Sequence, residues 1–200
     1  DTTKTITQLV LEDKRILREL KELSHKKDTY LLPYGVTKNE EILAKECGMG
    51  LIGPNSTVSR VSNSKLYAKE LVKRLHLSSP DGKACEYVDQ VREEWDRLRN
   101  QFRRIVIKRP NGASGRGLYL VENFEKLQKV LYILKRSGGE NEKWIVEGWY
   151  EDKKDLNTQM FICNDGNIKI LSVKEQILEG TVYKGSIFPV ELSVDIKSKY

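Results

Sequence analysis

The sequence predicts an α/β chain that includes a small α+β lid. Two patterns point there: a strand–helix–strand rhythm over residues 28–54, and two strands at residues 103–121 that flank a glycine loop and lead into a helix and another strand. With 200 residues, 38% hydrophobic and 32% charged, the chain can bury a core and is well short of a disordered composition.

LEDKRILRELKELSHKK carries Leu11, Ile16, Leu17, Leu20 and Leu23 at near-helical spacing, which predicts one helix ending near Ser24. TYLLPYGV reads as a short strand ended by Pro33. Thr37 with Glu40 three positions later forms a capping box that opens the helix NEEILAKEC, and Gly48 closes it. MGLIGPN then gives a strand tip and a turn, the rhythm of the tail of a parallel α/β unit. A further helix is expected over roughly Asn63–Leu75, capped by Ser62 or Asn63, with Leu66, Leu71, Val72 and Leu75 on one side. His76 reads as a surface or end-capping histidine.

KACEYV is expected as a strand and REEWDRLRNQF as a polar helix or loop. RRIVIKRP and LYLVE read as strands on either side of NGASGRG. The helix NFEKLQKVLYILKR sets Phe124, Leu127, Val130, Leu131 and Leu134 on one side. WIVEGWY is another strand, and NTQMFIC and NIKILSVKEQIL form a hairpin joined at Asn164-Asp165-Gly166. Beyond Gly180, Gly185 and Pro189 predict an exposed loop.

No run approaches the eighteen apolar residues of a membrane span, and DTTKTITQ has no apolar centre. The chain opens with Asp rather than Met and is expected to be a piece of something longer. Cys47, Cys85 and Cys163, odd in number and widely spaced, exclude a disulfide framework and fit a reducing cytoplasm. With only His25 and His76, an imidazole metal site is not expected. The net charge of +6 suits an anionic ligand. The densest basic stretch, Arg97 to Arg109, is interleaved only by Phe102, so base stacking on nucleic acid has little support.

Residues 110–117 carry the most chemistry. Three glycines and a serine in NGASGRG let the backbone approach a phosphate and aim N–H groups at it. The loop lacks the Gly-Lys-Ser/Thr ending of a Walker motif, and a strand follows it rather than a helix. By glycine content alone it reads as an ordinary hairpin loop; Lys108 shifts that reading. Ile105 and Ile107 share one strand face, so Val106 and Lys108 share the other, and Lys108 stands beside the loop as a point charge for phosphate oxygens. Arg109 falls on the opposite face and is expected to be solvated. Lys65, in the first turn of a helix, opposes the helix dipole, a conflict that a bound anion would relieve. Glu147 to Tyr150 offer backbone groups to a base edge, and Asp155 could reach a ribose hydroxyl.

The order of these motifs, SNSKLYAKEL, then IVIKRPNGASGRGLYLV, then WIVEGWYEDKKDLNTQMFI, resembles the ATP-grasp superfamily of carboxylate–amine ligases over about residues 28–189. LLPYGVTKNEEILAKECGMGLIGPNSTVSRVSNSK resembles the segment preceding that fold in a branch of peptide and amino-acid ligases from natural-product pathways. The resemblance implies Lys65 and Lys108 as the two phosphate lysines, and Ser114, Gly115 and Gly117 as a flap over the terminal phosphates. It makes Glu147, Gly148, Trp149 and Tyr150 the adenine hinge and Asp155 the ribose ligand. Lys174, Lys184 and Gly185 fall where the acceptor-substrate site begins.

The resemblance further implies ATP and Mg2+ as cofactors and a carboxylate that attacks the γ-phosphate. The resulting acyl-phosphate is opened by an amine from an amino acid, a peptide or a carrier. The family's magnesium ligands, in a Glu-x-Asn pattern, have no match after Pro189, where Glu191 and Asp195 are poor substitutes, so no residue is assigned to metal. Three parts are expected: residues 1–60 as the end of a preceding parallel α/β domain, 61–147 as the lid with its flap, and 148–200 as the start of the larger subdomain. A cytoplasmic enzyme is the expectation, with self-assembly left open. The alternatives are a nucleotide-binding or regulatory module without turnover, and behind it a nucleic-acid binder. A protein kinase would need His-Arg-Asp and Asp-Phe-Gly, and neither follows.

Overall fold

The computed structural model describes residues 3–110, 117–137 and 143–192. The chain divides into two compact units, Asp1–Ser78 and Ser79–Tyr200.

In the first unit, α1 (Ile6–Glu12) opens on a capping box in which Thr5 and Gln8 satisfy each other's backbone N–H groups. The single helix expected to Ser24 is two. The Asp13 carboxylate accepts from Arg15 and Ile16 N–H and so starts α2 (Lys14–Lys26) afresh. Strand β1 (Tyr30–Leu31) is shorter than expected. It leads to α3 (Lys38–Cys47), whose Thr37–Glu40 box forms as expected, with Thr37 N–H donating to Glu40 Oε2 at 2.7 Å.

Gly48 ends α3 at φ +65°, and β2 (Gly50–Leu51) pairs parallel to β1, completing the expected strand–helix–strand. A Cβ at Gly50 would lie 2.5 Å from the Tyr30 ring, so glycine here leaves room for that ring. The helix expected over Asn63–Leu75 forms as α5 (Lys65–Arg74), capped by Ser64, and a short helix that was not expected, α4 (Ser56–Ser62), capped by Asn55, precedes it. Ser62 and Asn63 therefore end one helix instead of starting the next. Past α5, His76 is exposed at φ +54°, consistent with a residue at a helix end.

The second unit holds a four-stranded antiparallel sheet built from β3 (Gly82–Cys85), β4 (Ile105–Lys108), β5 (Leu118–Val121) and β6 (Trp144–Gly148), in the order β3-β6-β4-β5. Helices α6 (Val88–Leu98) and α7 (Phe124–Ser137) pack on one face. The stretch read as a polar helix or loop is thus a helix, because Val91, Trp95 and Leu98 recur at i, i+4 and i+7 and bury together. They meet Ile105 and Ile107 of β4, Val121 of β5, Trp144 and Val146 of β6, and Leu127, Val130 and Leu134 of α7. Each such side chain contributes about 1.5–3 kcal/mol when fully buried. Phe124, expected on the buried side of α7, is 44% exposed, with the Arg92 guanidinium over its ring.

A three-stranded antiparallel sheet follows: β7 (Leu156–Ile162), β8 (Ile168–Glu179) and β9 (Val182–Ile187). The hairpin at Asn164-Asp165-Gly166 forms as expected, with Gly166 at φ +86°. The exposed loop expected after Gly180 is instead mostly β9: Gly180, at φ +62°, makes the turn, and Gly185 pairs with Ile177. All three cysteines are free, and burial pushes the Cys85 thiol up to about 11.

Candidate functional site

Strand alternation sorts the four-stranded sheet into two faces. Ile105 and Ile107, with Trp144 and Val146, point to the helices; Val106 and Lys108, with Ile145 and Glu147, occupy the other face. Because β4 lies beside β6 with Lys108 opposite Ile145 and Val106 opposite Glu147, Lys108 and Glu147 are diagonal neighbours. Lys108 Nζ donates to Glu147 Oε2 at 2.6 Å, with the carboxylate side chain 8% exposed and the lysine 25%. This pairing was missed in the sequence; it becomes legible once β4 and β6 are known to be neighbours.

The glycine loop leaves the sheet at the Lys108 end. Arg109 N–H donates to Gly117 O at 2.9 Å, closing the β4–β5 ladder, and Gly117 adopts φ +72°. Ser114 and Gly115 lie outside the described residues. Arg109, expected to be solvated, instead packs its guanidinium 5.4 Å from the centre of the Trp144 ring. A Cβ at Gly117 would come within 2.8 Å of Arg109 Cδ, so glycine here leaves room for that packing.

The segment read as the hinge lies at the opposite end of the same strands. Gly148 N–H donates to Asp81 O at 2.9 Å and Trp149 N–H to Arg104 O at 3.0 Å. Two of the backbone groups expected to meet a base edge, the Gly148 and Trp149 N–H, are therefore taken, one by each flanking segment. Tyr150 supplies the first N–H of this segment without a protein partner among the described residues. A Cβ on Gly148 would lie 2.5 Å from the Phe102 ring, which also meets Tyr150 edge-on at 5.5 Å. From Ile105, beside this segment, to Lys108, beside the loop, is three residue steps, on the order of 10 Å.

Lys65 is the first residue of α5 in the first unit, half-buried directly after the Ser64 cap. No acidic residue occupies that first turn, so its charge opposes the helix dipole as expected. Asp155 is half-buried, ion-paired with Lys153, and its carbonyl accepts from Gln176 N–H at 2.7 Å. The Lys153 ammonium also lies 4.6 Å from the Trp149 ring centre, linking Asp155 to the hinge segment. Lys174 pairs with Asn157 across β7 and β8. Lys184, in β9 rather than in a loop, contacts Glu179 at 2.7 Å.

Four of the six cations in the basic run are ion-paired within the chain. Arg97 forks onto Asp81 and Glu94, Arg99 pairs with Asp96, Arg104 with Glu151 and Lys108 with Glu147, while Arg109 covers Trp144. Arg103 lies near Glu122 and Glu151, and the Glu151 carboxyl is lowered by its hydrogen bond with Arg104 and further by the charge of Arg103. No group of three or more His, Cys, Asp or Glu gathers as a metal set among the described residues.

No family model matches the chain. It is 30% identical over 155 residues, 76% of its length, to the [butirosin acyl-carrier protein]–L-glutamate ligase of Niallia circulans, and spans 36% of that protein. Its fold is similar to D-alanyl-alanine synthetase A of Vibrio cholerae, with TM-score 0.63, 17% identity, and coverage of 85% of this chain and 55% of that one. It is also similar to the biotin carboxylase domain of Hydrogenobacter thermophilus 2-oxoglutarate carboxylase, in a complex with MgADP and bicarbonate. That match has TM-score 0.65, 22% identity, and coverage of 92% and 43%. The chain thus spans about a third of the curated relative and about half of each solved structure. A lysine-bearing strand that runs into a glycine loop, a four-stranded sheet under two helices, and these likenesses give the chain a partial ATP-grasp fold.

Proposed function

We propose that the chain is the nucleotide-binding part of an ATP-dependent ligase that joins a carboxylate to an amine through an acyl-phosphate. The observation that carries this is the layout of one sheet face: the hinge segment at one end, the glycine loop at the other, and the Lys108–Glu147 pair between them. A nucleotide laid along that face sets its base at Tyr150 and its phosphates at Lys108 and the loop. Gly148 to Tyr150 read the base edge through their carbonyls and the Tyr150 N–H. Glu147 holds Lys108 in place, and Asp155 accepts from the ribose. By the likeness to ATP-grasp ligases, Lys65 is proposed as the first phosphate lysine and Lys108 as the second, with Ser114, Gly115 and Gly117 as the flap. Lys174, Lys184 and Gly185 begin the acceptor site. Such an arrangement works by positioning and by neutralising phosphate charge.

Mg2+, when bound, would draw charge from the phosphates; no residue of this chain is assigned to it. The likeness to a carrier-protein ligase favours an acyl or amino group delivered on a carrier over a free amino acid or peptide. Residues 1–60, 61–147 and 148–200 are proposed as the three functional parts, and free thiols fit work in the cytoplasm. Among the described residues no helix is long and apolar enough to cross a membrane.

The test is product analysis with the full-length protein. ADP and phosphate, released only when carboxylate and amine are both present, support the reading. AMP and pyrophosphate would exclude an acyl-phosphate route. ATP binding without turnover in any substrate mixture would support the non-catalytic module instead.

A further inference from the structure

Glu94 is a carboxylate 2% exposed on the core face of α6, between the buried Val91 and Trp95. Burying a charge there is costly unless it is paired, and a packed apolar side chain would commonly stabilise the fold as well or better. Its partners show what the position accomplishes. Arg97 Nε lies 3.2 and 3.1 Å from the two Glu94 oxygens, and Nη2 lies 2.6 Å from Oε1. The same guanidinium reaches Asp81, with Nη1 3.1 Å from Oδ2 and Nη2 2.8 Å from Oδ1. Lys83 adds a contact to Glu94 at 3.5 Å.

Asp81 is the residue whose carbonyl accepts the Gly148 N–H. Gly82, next in the chain, is at φ +144°, and a Cβ there would lie 2.1 Å from Val146 O. The turn into β3 is therefore pressed against the backbone of β6, and its direction is set from outside by the Arg97 fork. A planar guanidinium holding two carboxylates fixes orientation as well as distance.

We propose that Arg97 is a positioning residue for the nucleotide base, acting through Asp81 on the line of Gly148 to Tyr150. This rests on the nucleotide reading above and deepens it, since the residue touches no nucleotide itself. Glu94 is the buried post to which the guanidinium is tied. The chain Glu94–Arg97–Asp81–Gly148 transmits the rigidity of the α6 core to the segment that reads the base. The mirror contact, Trp149 N–H on Arg104 O with Arg104 gripping Glu151, holds the segment from the other side.

The experiment measures binding of ATP, GTP and inorganic tripolyphosphate to full-length wild-type, Arg97→Ala and Asp81→Asn proteins by calorimetry. Tripolyphosphate has no base and reports the phosphate subsite alone. Both variants are expected to weaken ATP about tenfold, narrow the ATP-to-GTP preference and leave tripolyphosphate unchanged. Asp81→Asn keeps the Glu94–Arg97 contact, so it decides the matter if Arg97→Ala fails to fold. Equal losses for ATP and tripolyphosphate, or no loss of ATP, would overturn the positioning role. Wild-type protein that binds neither ATP nor tripolyphosphate would remove the nucleotide reading itself, and with it this proposal.

Discussion

Lys108 on β4 and Glu147 on β6 form an ion pair at 2.6 Å on the sheet face opposite the helices, beside the buried Val106 and Ile145. The lysine thus has two tasks. It compensates a buried carboxylate when no ligand is present, and it is the proposed cation for phosphate.

That double duty has a cost in the variant. Lys108→Met removes a charge-assisted hydrogen bond to a desolvated carboxylate, and the expected loss is about 1.5–3 kcal/mol. Adding Glu147→Gln should recover part of it, because the buried charge goes as well. Urea unfolding of the two variants checks this; a Lys108→Met midpoint equal to wild type would mean that the pair contributes nothing to the fold.

Nucleotide binding gives a second readout of the same lysine. ATP at 100 times its dissociation constant should stabilise the full-length protein by about 2.7 kcal/mol, read as a rise in melting temperature. Lys108→Met should remove most of that rise. Lys129→Ala is the matched control, since it deletes the same charge from an exposed pair with Glu125 on α7. Arg109→Ala is unsuitable because the guanidinium packs on Trp144. Equal loss in both lysine variants would mean diffuse electrostatics rather than a phosphate lysine.

Gly82→Ala tests the close approach of β3 to β6. The residue is at φ +144° and its Cβ would meet Val146 O at 2.1 Å, so backbone strain and overpacking, each about 1–3 kcal/mol, act together. A melting temperature within a degree of wild type would show that the turn can relax away.

Acid should loosen the start of α4. The Ser56 N–H donates to Glu41 Oε1 at 2.6 Å, and this bond, helped by Lys38, holds the Glu41 carboxyl down to about 2. A folded value below the ordinary 4.5 means the stabilisation is present above about pH 4.5 and is lost as pH falls toward 2. Glu41→Gln should flatten the pH dependence of Ser56 amide exchange across that window; an unchanged slope would assign the effect to another group.

Much of this was legible in the sequence, for reasons that differ by element. The Thr37–Glu40 box, the Gly48 cap and the antiparallel strands around the glycine loop depend on residues a few positions apart, and local chemistry decides them. The break between α1 and α2 was missed because Asp13 caps from inside an apolar rhythm that continues through it. β9 was taken for a loop because Gly185 is tolerated in a strand when a partner such as Ile177 lies across from it. For the site, alternation sufficed to place Lys108 beside the loop. Its pairing with Glu147, 39 positions away, needed the order of strands, as did the linkage of Arg97 to Gly148.

The hairpin sheet β7–β8–β9 carries one more consequence. Phe161, Ile162 and Ile168 are roughly half exposed or more, and β7 and β9 have no further strand beside them among the described residues. Apolar strands with open edges invite pairing with a neighbouring molecule, the first step of aggregation. Register shifts at Gln159/Met160 and at Ile177/Leu178 interrupt the ladders on both sides of β8. Bulges bend and twist a sheet, so an incoming strand would find only short stretches of regular edge to add to. Regularising either bulge by deleting one residue should make the protein more prone to self-association at high concentration.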